Sequence, residues 1–323
     1  MKALVFDDKL KLDNNYKNPQ MGENDVLIKT KMVGICNTDY EITKGYMGYK
    51  GVLGHEFVGV VENVGKNVDK ALIGKRVVGE INCACNNCSY CHQNLQRHCP
   101  NRSTLGIWQK DGCFSEYFTL PKENVIEISD NIDDITATFT EPLAAAYEIL
   151  EQIHIKPQTK VAILGDGKLG LCISLVFRAM NVDFVHIGKH IEKLEISKNI
   201  GVKTMLLDEI TDEHRKSFDV VVEATGSTGG FETSASLVKP RGILVLKSTI
   251  AAREGLNLAS IVVDEITIQG SRCGQFRPVV KLLEDKKIDV KPLVSGIYGV
   301  DEFEKAFELN SQKGTLKVLV KFD

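Results

Sequence analysis

The segment Lys160-Val-Ala-Ile-Leu-Gly165-Asp166-Gly167-Lys168-Leu169-Gly170 joins a short apolar run to three glycines spaced G-x-G-x-x-G, and an apolar run over 171–180 follows directly. A glycine triplet of this spacing carries little information alone. Between a strand and a helix it has a physical meaning. Gly165 permits a tight turn, Gly167 lets a pyrophosphate approach the backbone, and Gly170 lets helix and strand pack closely. The helix start, with Lys168 and Leu169, then faces the phosphates with its partial positive charge. A glycine-rich turn with no ligand is the alternative.

Working outward, Phe184-Val-His-Ile-Gly188 reads as a second strand and 189–200 as a second helix. Phe218-Asp-Val-Val-Val-Glu and Gly242-Ile-Leu-Val-Leu-Lys read as further strands. Strands alternating with helices predict βαβ units and a doubly wound parallel sheet of the α/β class. The ribose selector belongs about 20 residues beyond the glycines, at the end of the second strand. That place holds Gly188-Lys189-His190, with no Asp or Glu. A carboxylate there would repel a 2′-phosphate, whereas Lys189 would attract one. The expected cofactor is therefore NADP, with NAD possible. Alternatively, Lys189 and His190 are solvated residues at a helix start.

The N-terminal part has another rhythm. Val26-Leu-Ile-Lys-Thr-Lys-Met-Val, Glu56-Phe-Val-Gly-Val-Val-Glu-Asn-Val-Gly, Arg76-Val-Val-Gly-Glu-Ile and Cys113-Phe-Ser-Glu-Tyr-Phe-Thr-Leu-Pro read as short strands with Gly turns, which suggests a small barrel or sandwich. Within it, Cys85, Cys88, Cys91 and Cys99 follow the pattern C-x2-C-x2-C-x7-C. Four thiolates so close on one loop suit a tetrahedral zinc with a closed shell, hence a structural site. A disulfide knot is the alternative. Nine cysteines, an odd number and mostly clustered, fit a metal and a reducing cytoplasm better. The start MKALVFDDKLKLDNN turns polar too early for a signal peptide, and no apolar run approaches a membrane span. A net charge of -3 offers no field for nucleic acid or anionic lipid.

Gly34-Ile-Cys36-Asn-Thr38-Asp39, Gly54-His55-Glu56, the cysteine loop, Thr-Glu141-Pro-Leu and Gly-Asp-Gly-Lys-Leu-Gly170, in this order and at these separations, resemble the zinc-containing medium-chain alcohol dehydrogenases over nearly the whole chain. A carboxylate before Pro142 is similar to the polyol, sugar and threonine dehydrogenase branch. The resemblance implies a GroES-like β catalytic domain, 1–142 completed by 275–323, around a Rossmann domain, 143–274. It implies two zinc ions per chain, the catalytic one on Cys36, His55 and Glu141, with Glu56 able to approach it. Thr38 would take the alcohol proton, Asp39 would orient His55, and Arg272 would stand near the nicotinamide. Where many relatives carry His in the proton relay, this chain has Glu41. The implied reaction moves hydride between a secondary alcohol, polyol or sugar, or its carbonyl, and a nicotinamide cofactor, in a homodimer or homotetramer. The rivals are a zinc-free quinone or enone reductase and a non-catalytic cofactor-binding regulator.

Overall fold

Val161–Leu164 is apolar at every position and buried at every position, as a parallel strand covered on both faces must be. It lies inside a six-stranded sheet ordered Lys203–Leu206, Phe184–Gly188, Val161–Leu164, Phe218–Glu223, Val238–Leu246, Thr267–Gly270. Every pair in it is parallel. In chain order this is 3-2-1-4-5-6, the doubly wound arrangement whose switch point lies where the order reverses, beside Val161–Leu164. Ala162, Ile187, Val221 and Leu244 are fully buried beneath its helices, each large aliphatic contributing about 1.5–3 kcal/mol relative to exposure. The structure, a computed structural model, describes residues 1–249 and 258–322.

The chain divides into two compact units. One comprises Met1–Glu141, Phe276–Lys286 and Leu293–Asp323, the other Pro142–Gln275 and Lys287–Pro292. The second holds the parallel sheet. The first holds a seven-stranded sheet in which Arg76–Gly79, Glu56–Val64, Asp25–Gly34, Lys317–Lys321 and Val294–Gly299 follow one another, with Tyr117–Pro121 also pairing to Asp25–Gly34. Asp25–Gly34 alternates between buried and less buried positions over most of its length, as a strand with one face on the core should.

Register in this sheet has a chemical consequence. Gly34 lies opposite Glu56 on one side and opposite Leu319 on the other. Two residues past Gly34 is Cys36, one before Glu56 is His55, and two before Leu319 is Lys317. Three segments remote in sequence therefore end at one corner.

The strand expected over 113–121 begins only at Tyr117. The reason is backbone pairing elsewhere: Cys113 N and Phe114 N donate to the carbonyls of Gly54 and Leu53, and Leu4 N donates to Phe114 O. Those bonds tie 113–114 to the loop before His55 instead of to a regular ladder.

Around the glycines, Gly165 has φ +123°, and a Cβ on Gly170 would lie 1.8 Å from the Gly165 carbonyl oxygen. Gly170→Val is expected to cost about 1–3 kcal/mol by overpacking. Urea denaturation with the slope held fixed would measure this, and an unchanged midpoint would contradict the packing described.

Candidate metal and cofactor sites

Cys36 precedes the short helix Asn37–Thr43, and its Sγ lies with a ring nitrogen of His55 and a carboxylate oxygen of Glu56 in a group whose ligand atoms are all within 4.8 Å of one another. His55 and Glu56 are buried and Cys36 is half-buried. Asp39, fully buried, organises the corner. Its Oδ2 accepts from Cys36 N at 2.9 Å and its Oδ1 from Gly54 N at 3.2 Å. Oδ1 also lies 3.4 Å from His55 Nδ1, which has no hydrogen-bond partner among the described residues. With Nδ1 turned to Asp39, the other ring nitrogen remains for a metal, the arrangement that orients a ligating histidine. Burial opposes a charged His55 ring, but Asp39 and Cys36 outweigh it and raise its pKa well above the ordinary value. Thr38 Oγ1 is 3.7 Å from Cys36 Sγ.

Glu56 is held by a residue that sequence reading does not single out. Lys317 Nζ donates to both its carboxylate oxygens, at 2.8 and 2.5 Å, and the two side chains are 4% and 1% exposed. Gly34 makes room for this pair, since a Cβ there would meet Glu56 Oε2. Glu141 sits in the first turn of the helix Thr140–Gln152, outside the group of three formed by Cys36, His55 and Glu56 among the described residues. Glu41 pairs with Lys44 at 3.2 Å on the surface.

In the cysteine loop, Cys85, Cys88, Cys91 and Cys99 form a second group within the same limit. Sulfur pairs are 3.5 Å (Cys88–Cys91), 3.8 Å (Cys88–Cys99) and 3.5 Å (Cys85–Cys99). A disulfide requires about 2.05 Å. A tetrahedron of sulfurs about 2.3 Å from zinc has edges of roughly 3.8 Å, so the four fit that ion. The Asn87 amide, together with neighbouring thiols and Asn101, brings Cys85 down to about 6, whereas burial and the neighbouring thiols push Cys91 up to about 11; the fit to zinc rests on the sulfur spacing. Cys83, Cys113 and Cys172 are buried thiols, with Cys273 half-buried. Burial pushes Cys83 up to about 11.

At the switch point, the helix Lys168–Ala179 starts after Gly167 with no side-chain cap. Open space surrounds the position of a Gly167 Cβ. Uncapped N–H groups beside an open glycine fit a pyrophosphate. His186, fully buried, has the Gly165 carbonyl at Nε2 (2.9 Å) and Ser197 Oγ at Nδ1 (2.7 Å). Burial lowers its pKa, and the carbonyl can only accept, so Nε2 carries the proton and braces the glycine turn. Gly188 is buried while Lys189 and His190 are exposed. A carboxylate does reach this strand end, that of Asp166, from within the glycine loop. Lys189 N and His190 N both donate to its Oδ2, at 2.6 and 2.7 Å. Arg272 is exposed, and its carbonyl accepts from the buried Lys247 Nζ at 2.8 Å.

Two family models match the chain: the alcohol dehydrogenase GroES-like domain over residues 22–130 and the glucose dehydrogenase C-terminus over residues 136–322. The chain belongs to the zinc-type medium-chain dehydrogenase family. A sorbitol dehydrogenase of Halalkalibacterium halodurans is 28% identical, the match covering 94% of this chain and 93% of that protein. An alcohol dehydrogenase of Escherichia coli CFT073, solved with NADH, superposes with TM-score 0.91 at 26% identity, covering 100% of this chain and 99% of the other. A zinc-binding dehydrogenase of Sinorhizobium meliloti 1021, solved with NADP, does so at 0.89 and 26%, covering 99% of each. This dehydrogenase is accordingly an NAD(P)-dependent alcohol–carbonyl oxidoreductase of GroES-like plus Rossmann architecture. Zinc is the metal expected for its family. No helix among the described residues is long and apolar enough to cross a membrane.

Lys317→Met leaves the Glu56 carboxylate buried without its cation. A loss of about 3–5 kcal/mol is expected on removing one partner of such a pair. Equilibrium denaturation would measure it, and a loss below about 1 kcal/mol would show that the pair is solvated.

Proposed function

We propose that this dehydrogenase oxidises a secondary alcohol, polyol or sugar, or reduces the matching carbonyl, with Cys36, His55 and Glu141 holding the catalytic zinc and Cys85, Cys88, Cys91 and Cys99 a structural one. The carrying observation is the meeting of Cys36 and His55 at a corner braced by Asp39. Two carboxylates compete to be the third ligand. Both oxygens of Glu56 are engaged by Lys317, which favours Glu141 and leaves Glu56 as the neighbouring carboxylate. The sorbitol dehydrogenase relative supports a polyol-like substrate.

Zinc held by Cys36, His55 and Glu141 would supply a Lewis acid that makes a substrate hydroxyl acidic near neutral pH, and a bound nicotinamide would supply the hydride chemistry. The protein supplies the rest. Asp39 fixes His55, one thiolate and one carboxylate keep the ligand set from neutralising more than the metal's own charge, and the half-buried Thr38 hydroxyl takes the alcohol proton towards solvent. We assign residues 1–142 with 275–323 to this chemistry and 143–274 to the cofactor, with Gly165, Gly167, Lys168, Leu169 and Gly170 at the pyrophosphate and Arg272 towards the nicotinamide. Nine cysteines, five of them in the two proposed metal sites, fit a reducing cytoplasm.

A homodimer or homotetramer is part of the proposal. Val262 and Val263 are 74% and 77% exposed and Ile268, on the outermost strand Thr267–Gly270, 40%. Apolar side chains beside a sheet edge that no further strand pairs among the described residues suit a second copy. Light scattering should return a dimer or tetramer for the native chain and a smaller species for Val263→Asp; a native monomer would remove this part.

Metal analysis and turnover test the core of the reading. The native chain should carry two zinc ions. Cys36→Ala should fold, keep one and lose turnover by at least 10³-fold on every alcohol in a panel of polyols, sugars and simple secondary alcohols. Cys88→Ala should also lose one zinc but chiefly lower the melting temperature. Unchanged turnover in Cys36→Ala would defeat the proposal.

A further inference from the structure

The end of the strand Phe184–Gly188 is where a dinucleotide fold meets the adenosine ribose. The chain supplies no acid in that strand's own continuation, Gly188-Lys189-His190. The structure nevertheless sets a carboxylate there. Asp166 is 7% exposed. Its Oδ2 takes the N–H groups of Lys189 and His190, and His190 Nδ1 stands 3.1 Å from both oxygens. Gly188 is what admits it: a Cβ at that position would lie 2.5 Å from Oδ2. The three donors hold the Asp166 carboxyl below the ordinary carboxylate range despite its burial, so it is an anion at neutral pH.

We propose that Asp166 is the residue that selects the cofactor's adenosine ribose, accepting from a free 2′-hydroxyl and opposing a 2′-phosphate. Two effects act together. The turn's backbone donors at Lys189 and His190, the groups a 2′-phosphate would need, are already occupied by a fixed anion. A second anion placed beside it meets like-charge repulsion in a mostly buried setting, which costs more than at an open surface. Lys189, exposed on the same turn, pulls the other way, and its flexible solvated ammonium is the weaker partner. The acid thus does what the strand-end Asp of an NAD site does, from the glycine loop instead of from the strand. NAD is then the preferred cofactor, against the expectation drawn from Lys189 alone.

The inference rests on the dinucleotide reading of the glycine loop, so the test separates the two. Isothermal titration calorimetry on the zinc-loaded full chain would compare 5′-AMP, 2′-deoxy-5′-AMP and adenosine 2′,5′-bisphosphate, with no turnover involved. The native chain should bind 5′-AMP at least tenfold more tightly than either of the others. Asp166→Asn, close in shape but uncharged, should improve the bisphosphate relative to 5′-AMP by tenfold or more. Should Asp166→Asn fail to fold, the native ratios alone decide. If 5′-AMP binds but the bisphosphate binds as tightly or more tightly, the selector role of Asp166 is wrong and the cofactor site stands. The selector role is equally wrong if Asp166→Asn binds 5′-AMP with the native ratio unchanged. If 5′-AMP does not bind at all, the glycine-loop reading itself fails, and the selector with it.

Discussion

The Asp39 carboxylate ties two loops that would otherwise be independent. One oxygen holds the amide that enters Cys36, the other holds the amide of Gly54 and faces His55. A buried carboxylate is costly unless donors satisfy it, so the loops can deliver those donors only from one relative position. That position brings the Cys36 sulfur and the His55 ring together. In the proposed metal site this would orient the two ligands through backbone N–H groups gathered by the Asp39 carboxylate.

The Glu56–Lys317 pair follows from the same sheet register. Gly34 facing both Glu56 and Leu319 puts the first and last segments of the unit side by side. The pair is no strong argument for stability, because its Coulomb attraction is offset by the loss of hydration of both ions. Its consequence is chemical. A carboxylate satisfied by an ammonium is kept from competing freely for a nearby cation, so Lys317 would limit how readily Glu56 approaches a metal in the proposed site.

Much of this is legible in the chain. The apolar run before Gly165 and the apolar helix after it are local signals, and they point to the strand, the helix and the parallel sheet. The four-cysteine spacing is equally local, and its sulfurs do converge. The strand expected from Cys113 is four residues too long, because the amides of Cys113 and Phe114 bond to a loop sixty residues away. Alternation in the sequence cannot report that. Lys317 escapes notice for a similar reason. It reads as one of two lysines flanking a terminal strand, and its partner is 261 residues away. Asp166 stands in the sequence between two glycines; only the turn of the loop carries it to the end of the neighbouring strand.

Asp39, Asp166 and Glu223 share one construction. Each is a buried acid that accepts backbone N–H: Asp39 from Cys36 and Gly54 on two loops, Asp166 from Lys189 and His190 on one turn, and Glu223 from Thr225. An amide donor is rigid and carries no net charge. It therefore stabilises the carboxylate without neutralising it, as a lysine would, and the oxygens keep capacity for one more partner. Asp39 faces the His55 ring at 3.4 Å, and Glu223 accepts from the hydroxyls of Thr225, 2.6 Å away, and Ser248, 3.0 Å away. Beyond its two amides, Asp166 meets an exposed histidine ring at 3.1 Å. The two carboxylate oxygens of Asp166 have lone pairs beyond these contacts, and the proposed ribose contact would use that capacity.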